Sequence, residues 1–173
     1  MANIVRNGYG QLELNRVAFR RDGRVEAQVP YDTTADHVFE NGMVVTIKTD
    51  ATGKRVVPGV VEGGLCGILY TSEELYDTRK PGLKNFGVVV ENGEVKGPEG
   101  YDVYPRIGFL AAGDVFTTNT VVKTDDFTAG KTVKVAATGE WTVGEGAGPE
   151  GVVNQVYTMP DGQAAVEIEI IKA

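Results

Sequence analysis

Three residue types that supply much of enzyme chemistry are nearly absent from this sequence. It contains one serine, one cysteine and one histidine, which are Ser72, Cys66 and His37. A Ser-His or Cys-His nucleophile would need these side chains to meet, and a zinc site would have one imidazole and one thiolate to draw on. A single cysteine forms no internal disulfide. We therefore predict a protein that is not an enzyme, with no catalytic residues, no metal ligands and no cofactor.

Long apolar runs are also missing. The longest stretch without charged or strongly polar side chains covers about eight residues, 63–70, whereas a helix that spans a bilayer needs about 20. The first 25 residues hold five arginines and no apolar run, so they do not resemble a secretory signal. The sequence predicts a soluble protein that is made in the cytoplasm and has no membrane partner.

Charge is unevenly spread along the chain. Of the net charge of -7, residues 1–25 carry +3 and residues 26–173 carry -10. The basic residues of the first segment are all arginines: Arg6, Arg16, Arg20, Arg21 and Arg24. Because arginine favours planar, multidentate contact with carboxylates, we predict that these residues bind a protein partner, chance clustering being the alternative. The acidic remainder would repel nucleic acid and anionic lipid, whose binding depends on clustered lysine and arginine.

Glycine, valine and threonine are abundant, with 23 Gly, 26 Val and 16 Thr. Turn signals such as Asn92-Gly93 separate runs in which apolar and polar residues alternate. The runs cover residues 43–49, 87–96, 115–122, 132–137 and 163–172. Since each alternating strand must bury one face, we predict an all-β fold, either a small β-sandwich or a barrel.

Two segments fall outside this strand pattern. Residues 1–40 lack steady alternation and contain Asn7-Gly8 and Asp22-Gly23, so we interpret them as an extended, partner-contacting arm, with residues 41–173 as the all-β body. Residues 71–76 have the spacing of a capping box, in which Thr71 and Glu74 cap each other's backbone amides. We therefore expect at most one short helix, near residues 72–79.

The C-terminal hairpin carries the clearest pairing signal. A two-residue loop at Asp161-Gly162 would fix which residues face each other across the two strands. The expected cross-strand pairs are Tyr157 with Val166, Gln155 with Ile168, and Val153 with Ile170. All six would share one mostly apolar face, and Glu167 and Glu169 would lie on the other.

Two short motifs match nucleotide-binding sites only in part. Residues 146–151 have the glycine spacing of a dinucleotide fingerprint, but a strand pattern follows where the helix should begin. Residues 129–132 resemble the end of a phosphate-binding loop, but its first glycine would fall at Asp125. We interpret the first segment as a loop and the second as a hairpin turn.

Other candidate residues have a simpler interpretation. Asp32, Asp36 and His37 lack the spacing of a calcium loop, and so does the pair at residues 125–126, so we expect solvated turn side chains. Cys66 lies in an apolar run, which favours a small buried hydrophobe.

The aromatic residues leave two alternatives open. Trp141, Tyr101 and Tyr104 would either mark a face that binds carbohydrate or protein, or fill the core at strand ends.

Four stretches share a style rich in valine, glycine and turn residues. They are residues 39–45 (FENGMVV), 60–69 (VVEGGLCGIL), 113–119 (GDVFTTN) and 156–167 (VYTMPDGQAAVE). Together they resemble the small β-rich auxiliary head proteins of tailed bacteriophages, known as decoration or cement proteins. The likeness covers about residues 38–173.

This resemblance implies a structural protein of the virion. Such a protein binds the outer surface of an assembled capsid in many copies and strengthens the contacts between capsomers. Its implied partners are the major capsid protein and neighbouring copies of itself, and it is made in the host cytoplasm. Phage tail-tube and head-fibre subunits look similar at this level. A glycan- or receptor-binding β module, or an enzyme that uses carboxylates with shifted pKa values, is a further alternative.

Overall fold

A computed structural model describes residues 4, 10–51, 53–70, 87–96, 104–159 and 162–173. The strands in chain order are β1 (Leu12–Arg16), β2 (Val25–Glu26), β3 (His37–Glu40), β4 (Val44–Asp50), β5 (Gly53–Pro58), β6 (Leu65–Leu69), β7 (Gly87–Glu91), β8 (Glu94–Lys96), β9 (Ile107–Gly108), β10 (Val115–Thr118), β11 (Thr132–Val135), β12 (Trp141–Thr142), β13 (Ala147–Thr158) and β14 (Ala164–Lys172). One short helix, α1 (Phe19–Asp22), lies between β1 and β2. The all-β prediction is confirmed.

The strands form three antiparallel sheets. A six-stranded sheet has the order β1-β10-β14-β13-β11-β12, a five-stranded sheet the order β2-β9-β6-β4-β5, and a three-stranded sheet the order β3-β7-β8. Of the two expected architectures, the described strands have that of a sandwich, because each sheet remains open at its edges.

The five-stranded sheet contributes residues to a hydrophobic core on each of its two faces. Successive residues of a strand point to opposite sides of the sheet. Val44 of β4 packs in a core with Phe116 and Trp141 of the six-stranded sheet, whereas Val45 packs in a second core with Phe39 of the three-stranded sheet. All five side chains are fully buried. Burial on both faces explains why β4 begins with two consecutive valines.

Residues 10–40 are part of the sheets and do not form the separate arm that the sequence pattern indicated. β1 pairs with β10, β2 with β9 and β3 with β7, so this segment adds one strand to each of the three sheets. The arm interpretation was wrong. The sequence pattern missed the first two strands because they are short and because the strands they pair with lie far along the chain. Leu12 and Thr118, for example, pair across 106 positions.

The hairpin of β13 and β14 forms as predicted, but its register differs by one residue. The Met159 amide donates to the Gln163 carbonyl at 2.7 Å, so the loop encloses three residues rather than two. Tyr157 consequently faces Ala165, and Gln155 faces Glu167. Tyr157 and Gln155 therefore lie on the face that carries Glu167, and their predicted place on the apolar face is wrong.

A register shift between Val153 and Gln155 restores the apolar pairing further along the hairpin. Val153 faces Ile168, and both side chains are buried in the core under the six-stranded sheet. Such an irregularity adds one residue to one strand, which the alternation pattern does not reveal.

Each of the five alternating runs contains at least one strand, namely β4, β7 with β8, β10, β11 and β14. Residues 129–130 form a turn before β11, but this turn does not close a hairpin as expected, because β11 pairs with β12 and β13 and not with the preceding strand β10. Residues 147–151 belong to β13, which corrects the interpretation of that glycine-rich stretch as a loop. The helix expected near residues 72–79 lies outside the described residues.

Candidate functional site

Four arginines of the N-terminal segment lie in or next to the turn that contains α1. The apolar anchor of this turn is Phe19, whose ring is fully buried with its centroid 5.2 Å from that of Tyr70. The ring lies against Gly108 of β9, where any Cβ atom would overlap it. Gly23 ends the helix with a φ of 70°, a left-handed conformation that glycine adopts without strain. The turn is thus packed onto the five-stranded sheet.

Asp114 supports the turn from within the protein. Its side chain is almost fully buried. Oδ1 accepts a hydrogen bond from the Ala18 amide at 2.7 Å, and Oδ2 accepts one from the Ala111 amide at 2.9 Å. On the other side of α1, Arg24 Nη1 donates to the Phe109 carbonyl at 3.0 Å. Both ends of the turn are therefore held by hydrogen bonds from distant parts of the chain.

Four arginines surround this turn, Arg16, Arg20, Arg21 and Arg24, and we name them the basic corner. The side chains of Arg16 and Arg21 are 71% and 82% exposed. Arg20 is exposed and has no ion-pair partner among the described residues. The structure therefore brings together four of the five arginines that the sequence singled out, and Arg6 lies outside the described residues.

Two carboxylates pair with the basic corner. Arg16 Nη2 lies 3.7 Å from Glu169 Oε1, and Asp22 lies 3.1 Å from Arg21 Nε and 3.8 Å from Arg24 Nη2. Four guanidinium groups against these two exposed carboxylates leave the surface of the corner with a net charge of +2. Exposed ion pairs of this kind are weak, so the arginines are free to exchange partners.

A second surface feature is an open groove where the three sheets meet. Its volume is about 660 Å³, within the range of pockets that hold a drug-sized ligand. The apolar residues that line it come from β3, from β5 and the loop after it, from the residue before β4 and from the turn between β11 and β12. They are Val38, Met43, Val57, Pro58, Val61 and Ala137.

The charged rim of this groove is mainly acidic. Exposed Asp36 and half-buried Glu140 line it together with Lys48, which gives the rim a net charge of -1. Glu40 also lines the groove, but its side chain is nearly buried and accepts a hydrogen bond from the Gly10 amide at 3.1 Å, so its role is structural. The groove thus combines an apolar floor with negative charge.

No spacing in the sequence indicates the groove. Its lining residues come from segments about 100 positions apart, from Asp36 to Glu140. Exposed Val38, which alternates with buried Phe39 in β3, marks the groove in the structure only.

The remaining candidate residues have structural environments. Trp141 is fully buried and its Nε1 donates to the Gly42 carbonyl at 3.1 Å, so this ring belongs to the core. Tyr104 is exposed, and Tyr101 lies outside the described residues, as does Ser72. Cys66 is only partly buried, with Sγ 3.3 Å from Thr46 Oγ1, which corrects the expectation of full burial.

The acidic candidates near residue 32 are held by hydrogen bonds from both near and distant parts of the chain. Asp32 accepts bonds from the Thr34 hydroxyl and amide, and its Oδ1 lies 3.3 Å from Arg55 Nη1. Burial raises the pKa of Asp32, but the bonds from Thr34 and Arg55 outweigh burial and lower the pKa below its ordinary value of 3.8. Asp36 accepts a bond from the Asn92 amide at 2.9 Å, and His37 packs edge-on against Phe39.

In the described residues, no three His, Cys, Asp or Glu side chains lie together in a way that could hold a metal ion. The described part of the chain also contains no helix with the length and hydropathy needed to cross a bilayer. A comparison with known proteins finds no matching family model, no matching curated protein and no matching solved structure.

Proposed function

We propose that this protein is a structural component of a bacteriophage particle that binds the outer surface of the capsid in many copies and stabilises contacts between capsomers. The observation that carries the proposal is the basic corner. Four arginines lie on one braced turn of a molecule whose net charge is -7. An acidic molecule that joins a protein coat needs a local positive surface, because like charges across an interface disfavour association.

The geometry of the corner suits such a role. Guanidinium groups form paired hydrogen bonds with carboxylates, which gives direction as well as attraction. The backbone beneath them is already fixed by Phe19 and Asp114, so little main-chain entropy is lost when the corner binds. In a coat of many copies, several such contacts add through avidity even when each is weak.

The test is a charge reversal at the two arginines of α1. The double variant Arg20→Glu, Arg21→Glu is incubated with capsids assembled from the major capsid protein of the genome that encodes this chain. Occupancy is then measured by co-sedimentation. We expect the wild-type protein to saturate the capsid in many copies. The variant should bind at least about tenfold more weakly, which corresponds to a loss of about 1.4 kcal/mol in binding free energy.

A matched control carries the same change in charge elsewhere. Lys54 and Lys123 are exposed and lie outside the basic corner, so the double variant Lys54→Glu, Lys123→Glu should bind like the wild type. A wild-type protein that does not bind capsids would refute the proposed function. Equal losses in the two double variants would show that overall charge, and not the corner, governs binding.

A further inference from the structure

We propose that the basic corner of one copy docks into the groove of a second copy, so that neighbouring molecules associate head to tail. This inference rests on the proposed function only in treating the corner as a contact surface within the coat. It adds the identity of the partner surface, which is the groove where the three sheets of the next copy meet.

Charge is the first argument for this pairing. The corner has a net charge of +2, with two of its arginines more than 70% exposed. At the rim of the groove, exposed Asp36 and half-buried Glu140 stand against one lysine, Lys48, which gives a net charge of -1. Opposite potentials on two surfaces of one molecule favour contact between copies in one orientation and disfavour corner-to-corner or groove-to-groove contacts.

Apolar surface is the second argument. Val25 follows the corner directly and is 40% exposed, and Ile171, on the same face of β14 as Glu169, is 50% exposed. The groove offers an apolar floor whose residue Val38 is 54% exposed. Arginine side chains also lay their methylene stems along apolar surface while the guanidinium reaches the polar rim. The basic corner and the groove are therefore complementary both in charge and in apolar surface.

The positions of the two surfaces exclude contact within one copy. Arg24 directly precedes β2, the first strand in the order of the five-stranded sheet, whereas Val57 and Pro58 of the groove belong to β5, the last strand in that order. Four strand spacings separate these edges by about 19 Å. A corner and a groove at opposite edges make a heterologous contact, which generates a ring or a continuing row of copies.

The test measures self-association by sedimentation velocity without capsids, so its outcome is independent of capsid binding. Two variants each break one half of the contact: Arg20→Glu, Arg21→Glu in the corner and Glu140→Lys in the groove. We expect the wild type to associate with rising concentration, less so as salt screens the charges. Each variant alone should associate at least about tenfold more weakly.

The mixture of the two variants is the decisive measurement. The corner variant keeps an intact groove, and the groove variant keeps an intact corner, so a 1:1 mixture should form a dimer of one copy of each and nothing larger. A mixture that remains monomeric, or that forms larger species, would overturn the proposal. So would a wild-type protein that stays monomeric up to about 1 mM, the weak end of specific association.

Two further variants guard against effects on folding. Glu140 is half-buried and accepts a hydrogen bond from the Thr138 hydroxyl. For that reason Val38→Lys, at an exposed position in the same groove, serves as a second groove variant and should behave like Glu140→Lys. Glu94→Lys adds the same charge on β8, two strands away from β3, and should leave self-association unchanged. Association that falls equally in Glu94→Lys would contradict the assignment to the groove.

Discussion

The first and last segments of the described chain join the sheets in different ways. Residues 147–172 form one hairpin whose two strands are neighbours in sequence and pair along most of their length. Residues 10–40 contribute three short strands to three different sheets, and each pairs with a strand far away in the sequence. The hairpin spreads its interactions over many similar pairs, whereas the N-terminal segment depends on a few anchors.

This difference determines where a single substitution has most effect. In the hairpin of β13 and β14, one substitution affects only a small share of the cross-strand hydrogen bonds. The N-terminal segment is held near the corner chiefly by one buried ring and one buried carboxylate, Phe19 and Asp114. We therefore expect sensitivity to be concentrated at these two positions.

The largest effect is expected for Phe19→Ala. Removing a fully buried phenylalanine leaves a cavity against Gly108 and Tyr70, and such changes cost about 3–5 kcal/mol. Denaturant unfolding followed by fluorescence of Trp141 measures the loss. In the same segment, Val25→Ala removes a side chain that is 40% exposed and should change the free energy of unfolding by less than about 0.5 kcal/mol. Equal losses of stability in Phe19→Ala and Val25→Ala would contradict the idea that Phe19 anchors the N-terminal segment.

A smaller loss is expected for Asp114→Asn. The amide side chain has one oxygen, so it can accept a hydrogen bond from either the Ala18 or the Ala111 amide at its former place but not from both. One partly buried N–H loses its partner, at a cost of about 1 kcal/mol, the low end for an unsatisfied donor. Amide hydrogen exchange at Ala18 and Ala111 should show which of the two N–H groups has lost its hydrogen bond. The control is Asp22→Asn, at an exposed position, which should change the free energy of unfolding very little. Full protection of both amides from exchange in Asp114→Asn would contradict the role of Asp114 in holding the turn.

A comparable or smaller effect is expected for Tyr157→Phe, at the point where the two segments touch. The Tyr157 hydroxyl donates to Glu13 Oε2 at 2.7 Å and lies 3.1 Å from Thr117 Oγ1. Its loss should cost about 0.5–1.5 kcal/mol at neutral pH. The control Tyr104→Phe alters an exposed ring and should have no measurable effect.

The pH dependence of this bond has a defined sign. Burial raises the pKa of Tyr157 above 10.0, and the neighbouring Glu13 carboxylate raises it further. The stabilisation is therefore fully present below about pH 10, the unfolded pKa, and is lost as the pH rises through the higher folded pKa. The difference in stability between wild type and Tyr157→Phe should shrink over that range. A constant difference would show that the hydroxyl is not linked to Glu13.

The parts of the fold that were predictable from sequence are those set by local pattern. The alternating runs located β4, β10, β11 and β14. Burial alternates along β11 and most of β14, as expected for half-buried strands, whereas the first four residues of β4 and all four of β10 are buried. The register of the last hairpin was off by one because the Met159 to Gln163 bond encloses an extra loop residue, a choice that depends on backbone geometry around Gly162.

The parts that were not predictable depend on distant partners. Nothing near residues 12–16 signals that β10, about 100 positions later, completes β1. The four described arginines were identified from charge alone, but their arrangement depends on Asp114 and Phe109. The groove had no signal because three sheets must assemble before Val38, Pro58 and Ala137 become neighbours.

The distance between the corner and its supports sets an order of events during protein synthesis. The ribosome makes Phe109 and Asp114 some 90 residues after the residues of the corner. At about 5–20 residues per second, a ribosome needs on the order of 5 to 20 s to cover that interval. During that time β1 has no strand to pair with. Only a nascent chain that extends past Asp114 presents its arginines on a fixed turn, so shorter chains lack this fixed contact surface.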